Sequence, residues 1–303
     1  MATRILYGRQ NNLELWGFPA GETMAVAETL IILLLASIPI GVVGSLLGIG
    51  GGVFLIPIMT LGLGIDIKVA AATSLVTIIV TSSASAPRYL REGIVNISLG
   101  MFLEVFTVTG AIIGAVLVWY LSTSIVEAIF AIVLIYVAVY MTVVMEGGKE
   151  PHAVVSPVQP GSRFSGRFRD ESTGEMTQYG VRSLPRGAAA GFIAGNLSGL
   201  IGVGGGVVKV PAMHVWMGVP MKAAAATSNF MIGVTAVASA LVYLANGLVA
   251  PLITAAAAVG IFIGAFVGSR SLRRITGRGL RLMFSAVIVV ISVIMFLRAG
   301  GML

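Results

Sequence analysis

The chain has 303 residues, 57% of them hydrophobic and only 10% charged, with a mean hydropathy of +1.01. That balance excludes a soluble globular domain, which needs far more charge to cover its surface. The net charge is +7; the lack of cysteine excludes disulfides and thiolate chemistry, and with two histidines far apart no dedicated zinc site is expected.

Residues 1–23 mix polar and apolar side chains and carry no signal-cleavage pattern, so they read as a tail, with Trp16 and Phe18 as candidate interfacial anchors. Five apolar segments follow, at about 24–47, 51–64, 69–87, 95–119 and 125–145. A polar linker, 147–185, rich in Pro, Gly, Ser and mixed charge, reads as a loosely folded connection with no function of its own. Five more segments run at about 186–201, 205–217, 221–245, 248–269 and 280–299. Several reach the roughly 20 residues that cross a bilayer core as a helix. The fold expected is an all-α polytopic membrane protein with a tail at 1–23 and membrane repeats at 24–146 and 186–303.

The second segment of each half spans only 51–64 or 205–217, which is short for a full crossing. Segments one and two of each half therefore predict a helical hairpin that turns at glycines inside or near the membrane. Pro57 and Pro211 break or kink the returning arm.

The halves repeat one another at an offset of 154 residues. Gly48-Ile49-Gly50-Gly51-Gly52-Val53, Pro57, Lys68 and Ala70-Ala71-Ala72-Thr73-Ser74 recur as Gly202-Val203-Gly204-Gly205-Gly206-Val207, Pro211, Lys222 and Ala224-Ala225-Ala226-Thr227-Ser228. Residues 46–95 and 200–249 are identical at 25 of 50 aligned positions, and Gly110 and Gly114 still match Gly264 and Gly268. A duplicated, glycine-broken apolar segment points to a transporter whose substrate site lies between the repeats.

Basic residues set the expected orientation. The linker region carries Lys149, Arg163, Arg167, Arg169, Arg182 and Arg186; residues 270–281 carry Arg270, Arg273, Arg274, Arg278 and Arg281; Arg88 and Arg91 mark a third connection. The positive-inside rule puts all three in the cytoplasm and both termini outside. Five segments per copy then make the repeats inverted in topology. The net charge follows from that topology and calls for no nucleic-acid partner.

Through the doubled Gly-x-Gly-Gly-Gly run, the proline and the Lys-x-Ala-Ala-Ala-Thr-Ser motif, the chain resembles the sulfite exporter TauE/SafE family, also called the four-toluene-sulfonate uptake permease family. The resemblance covers roughly residues 28–299. It implies a secondary carrier of sulfur-containing anions, such as sulfite or organosulfonates, in the plasma membrane, often an exporter. It leaves the cargo and the direction open, and a homodimer is compatible with it.

Lys209 is the leading candidate for substrate binding. Burying a lysine in hydrocarbon costs on the order of 3 kcal/mol, so an intramembrane cation is a functional hypothesis by default. Its repeat partner is Leu55, so the repeat itself does not require a charge there. The bland alternative is a side chain snorkelling to the interface. Gly50, Gly51, Gly52, Gly204, Gly205 and Gly206 serve close packing, or cradle an anion on backbone N–H groups. Thr73, Ser74, Thr227, Ser228 and Asn229 either contact substrate from both faces or bond their own helix carbonyls. Asn196 and Ser198 are weaker candidates of the same kind. Glu104 is the one deeply placed carboxylate, a candidate proton carrier for coupling or a buried group bonded to a helix neighbour. His214 reads as packing; Glu28 and Glu127 read as interfacial.

No cofactor or metal is expected, and no enzyme. An intramembrane hydrolase needs clustered carboxylates, a histidine or a nucleophile–base pair, and no such cluster is visible. No Walker sequence suggests ATP drive. A channel is disfavoured, because inverted repeats suit alternating access. Proton-coupled uptake of the same anions is the alternative to export.

Overall fold

The computed structural model describes residues 23–146, 163–169 and 176–271. In the first half α1 spans Thr23–Leu47, α2 Gly52–Pro57, α3 Ile67–Arg91, α4 Ile97–Leu117 and α5 Thr123–Glu146. In the second half α6 spans Leu184–Ile201, α7 Gly206–Pro211, α8 Met221–Ala245 and α9 Pro251–Ser271. Five of these helices are long and apolar enough to cross a membrane. The tail at 1–22, including Trp16 and Phe18, lies outside the described residues, as do the expected segment at 280–299 and Arg273, Arg274, Arg278 and Arg281.

The short arms form as the glycines and prolines dictate. Each of α2 and α7 ends at its proline and continues as one π-helical turn, Ile58–Gly62 and Ala212–Trp216. Proline cannot donate to the preceding turn, and the wider register absorbs the missing bond. At 1.5 Å per residue, the 52–62 arm is about 16 Å long, roughly half of a bilayer core.

The two halves exchange partners. α1 lies against α9, and its repeat equivalent α6 lies against α4. Both contacts depend on glycine. A Cβ at Gly264 would strike the carbonyl group of Ile38, and one at Gly114 the carbonyl group of Asn196. Small residues of this kind let membrane helices approach backbone to backbone. At the centre α8 runs back along α3. Ser82, late in α3, donates to the carbonyl of Asn229, early in α8, and Thr227 accepts from the amide of Asn96, just past the end of α3.

The linker departs from expectation. Part of it is folded, a short hairpin within an otherwise helical set of described residues: β1, Gly166–Arg169, pairs antiparallel with β2, Met176–Tyr179, with Gly166 opposite Tyr179. Alternation supplies the reason. Phe168 and Tyr179 point inward, 5% and 1% exposed, onto Leu99, Leu103, Met213 and Met217, while Arg167 and Arg169 face out. Asn96 fixes the hairpin in place by donating through Nδ2 to the Phe164 carbonyl at 2.8 Å. The described part of the linker therefore sits at the end of the molecule that carries the α3–α4 connection.

Candidate substrate site

The glycine runs close the two helical hairpins against each other. Gly51, at φ +81°, and Gly205, at φ +67°, precede α2 and α7 in the left-handed region that only glycine enters freely. Ser74 donates to the Gly202 carbonyl at 2.6 Å, and Ser228, its repeat equivalent, donates to the Gly48 carbonyl at 3.0 Å. Each half thus clasps the loop of the other. A Cβ at Gly52 would lie 2.7 Å from the Gly202 carbonyl oxygen, and one at Gly206 would meet the Gly48 carbonyl. Gly50 and Gly204 both face Ile78. The two loops are thus in backbone contact at the core.

Lys209 projects from α7 and is buried, 2% exposed, so it does not snorkel. Its Nζ donates to Thr235 Oγ1 at 3.2 Å. Thr235 in turn donates to Glu104 Oε1 at 2.7 Å, and Thr107 donates to Glu104 Oε2 at 3.0 Å. Glu104 is 8% exposed. A lysine from α7 and a carboxylate from α4 are thus joined through one hydroxyl of α8. Burying both charges is tolerable because each has a hydrogen-bonding partner and lies near the opposite charge. The arrangement can exchange counter-ions: an anion reaching Lys209 competes with Glu104 for it.

A family model described as "Sulfite exporter TauE/SafE" matches residues 33–295. The chain belongs to the TauE/SafE family. It is 26% identical over 269 residues to the probable membrane transporter protein YunE of Bacillus subtilis, covering 86% of this chain and 95% of that one. It is 29% identical over 284 residues to the probable membrane transporter protein MJ0441 of Methanocaldococcus jannaschii, covering 88% and 95%. No solved structure matches.

In this TauE/SafE chain the other candidates divide into separate places. Thr73 shares a 3.1 Å hydrogen bond with Thr254 on α9, whereas Thr227 meets Asn96 near the start of α4. The two threonines therefore engage protein groups in different contacts and do not converge. Asn229 donates through Nδ2 to the Ser45 carbonyl at 2.8 Å, and its Oδ1 is buried without a partner. Ser198 Oγ is likewise buried and unpartnered, and Asn196 is half-buried beside Gly114. His214 holds the Val219 carbonyl at 2.9 Å, a packing role. Sequence reasoning missed Thr235, the residue that joins Lys209 to Glu104. A signal for it was present: Thr81 and Thr235 are identical repeat partners, and Thr235 follows Ser228 by two helical turns on one face.

Proposed function

We propose that this TauE/SafE protein is a secondary carrier that exports small sulfur-containing anions, such as sulfite or organosulfonates. It works by alternating access between two halves inverted across the membrane, with the linker in the cytoplasm and both termini outside. The observation that carries this reading is Lys209, the one buried cation among the described residues, tied to Glu104 through Thr235. In the empty carrier the carboxylate balances the ammonium. A substrate oxyanion takes the ammonium over, and the Gly205 backbone beside the Lys209 side chain leaves room for it to approach. Departure of the anion restores the internal pair. Export of an anion needs no second ion, because an inside-negative potential contributes roughly 2.3 kcal/mol per charge per 100 mV.

Glu104 favours a second reading. Once Lys209 is taken by substrate, the displaced carboxylate is uncompensated, and a proton is its simplest replacement partner. That sequence would couple uptake to protons. Flux of sulfite and small sulfonates into liposomes containing the purified protein distinguishes the readings. Lys209→Ala should abolish flux while the protein stays folded, and Lys209→Arg should restore it only in part, because a planar fork alters the geometry. Normal transport by Lys209→Ala would remove Lys209 from the site. Glu104→Gln should leave a potential-driven exporter active, whereas a proton-coupled carrier should lose gradient-driven accumulation and keep exchange.

A further inference from the structure

A charged cavity whose lining includes none of Lys209, Thr235 and Glu104 lies between the last turns of α3 and α9. It has a volume of about 380 Å³ and is lined by Pro87, Arg88, Arg91, Glu92, Phe266 and Arg270, among others. Arg88 Nε holds Glu92 Oε1 at 2.8 Å, so one guanidinium is balanced and those of Arg91 and Arg270 leave the cavity positive. The Arg270 guanidinium lies over the Phe266 ring, 3.8 Å from its centroid, which holds it at the mouth of the cavity.

The repeat supplies an internal control. The packing of α3 on α9 is mirrored by that of α8 on α4. At the mirrored positions Arg88, Arg91 and Arg270 become Val242, Ala245 and Val116. The fold therefore holds this contact together without any arginine. Topology requires basic residues in a connection, but it does not require three guanidiniums around one cavity.

The surroundings indicate what occupies it. Beside the cavity α9 turns a row of apolar side chains outward, with Phe262 at 52%, Phe266 at 42% and Val267 at 50% exposure. In a membrane chain that face meets acyl chains. A basic pocket between membrane helices, opening onto an apolar outer face, suits the headgroup of an anionic lipid, and arginine binds phosphate through two parallel bonds.

We propose that Arg91 and Arg270 form a binding site for an anionic phospholipid, whose phosphodiester lies between the two guanidiniums and whose acyl chains lie along α9. Its residues are separate from Lys209, Thr235 and Glu104. The test uses the full chain purified in detergent, with bound lipid counted by native mass spectrometry and thermal stability measured alongside. Phosphatidylglycerol, phosphatidylcholine and inorganic phosphate are the three probes. Wild-type protein should retain phosphatidylglycerol over phosphatidylcholine and be stabilised by it, with no response to inorganic phosphate. Arg91→Gln/Arg270→Gln should lower that retention on the order of tenfold, the loss expected for about 1.4 kcal/mol. If the double variant does not fold, Arg270→Lys keeps the charge, loses the flat fork, and should retain less phosphatidylglycerol than wild type. Equal retention of the two lipids, or full retention by the folded variant, would overturn the proposal. Stabilisation by inorganic phosphate as strong as by phosphatidylglycerol would overturn it too, identifying a soluble anion instead.

Discussion

Thr235 has a single proton and three neighbours, and its donation to Glu104 Oε1 at 2.7 Å is shorter than that to the Met231 carbonyl at 3.2 Å. The hydroxyl therefore points at the carboxylate and leaves its lone pairs to the Lys209 ammonium. Thr235→Val keeps the shape and removes both bonds. It should cost about 1–3 kcal/mol in thermal unfolding and lower anion flux at least roughly tenfold, because a buried ammonium is left without its acceptor. Its repeat partner Thr81 donates to the Thr77 carbonyl of its own helix at 2.9 Å, with the Gly50 carbonyl farther off at 3.4 Å, and it touches no charged group. Thr81→Val should be nearly silent by both measures. If the two variants behave alike, the link between Lys209 and Glu104 has no functional role.

Among the elements, the paired helices α1 with α9 and α4 with α6 rest on close backbone approach, and the short arms rest on glycine and proline. Gly264→Leu drives a side chain into the Ile38 carbonyl group. Separating two membrane helices by that volume should destabilise by about 3 kcal/mol or more, read as a lower unfolding temperature and poor recovery from the membrane. Gly62→Ala is the comparison. A Cβ there meets nothing within 4 Å, so the change should stay within about 0.5 kcal/mol. Equal effects at the two positions would mean that helix separation does not limit stability. The hairpin turns and the breaks at Pro57 and Pro211 were legible, because glycine and proline act on their own backbone. The β1–β2 hairpin was not legible: four-residue strands that set Phe168 beside arginines and Tyr179 beside Gln178 look like any polar linker until a partner surface is present.

For the whole molecule, the described parts of three basic connections gather at one end. Arg88, Arg91 and Arg270 line a single cavity, and Asn96 ties the same end to the linker at Phe164. At the start of α3, Lys68 Nζ donates to the Leu121 carbonyl, so the α4–α5 connection belongs to the opposite end. The chain has no native cysteine, which makes single-cysteine labelling direct. Gln178 and Ser122 are both exposed. An impermeant thiol reagent applied to intact cells should label Ser122→Cys from outside and reach Gln178→Cys only after the membrane is opened. Labelling of both from one side would end the proposal that the halves are inverted across the bilayer.

Composition, the 154-residue repeat and the doubled glycine motif determined by themselves that this is a membrane protein of two related halves in the TauE/SafE family. They sufficed because hydropathy, glycine turns and proline breaks are local properties, readable within a segment or by sliding the chain on itself. They also marked Lys209 and Glu104 as charges in the wrong solvent. Tertiary structure alone decided what those charges meet. Lys209 reaches Thr235 across 26 residues, and Thr235 reaches Glu104 across 131, contacts made only once α4, α7 and α8 have packed. The same holds for the clasp of Ser74 on Gly202, 128 residues away, and for the cavity that brings Arg91 to Arg270. A charge in hydrocarbon declares itself from sequence through its solvation cost, but its partner is chosen by helix packing.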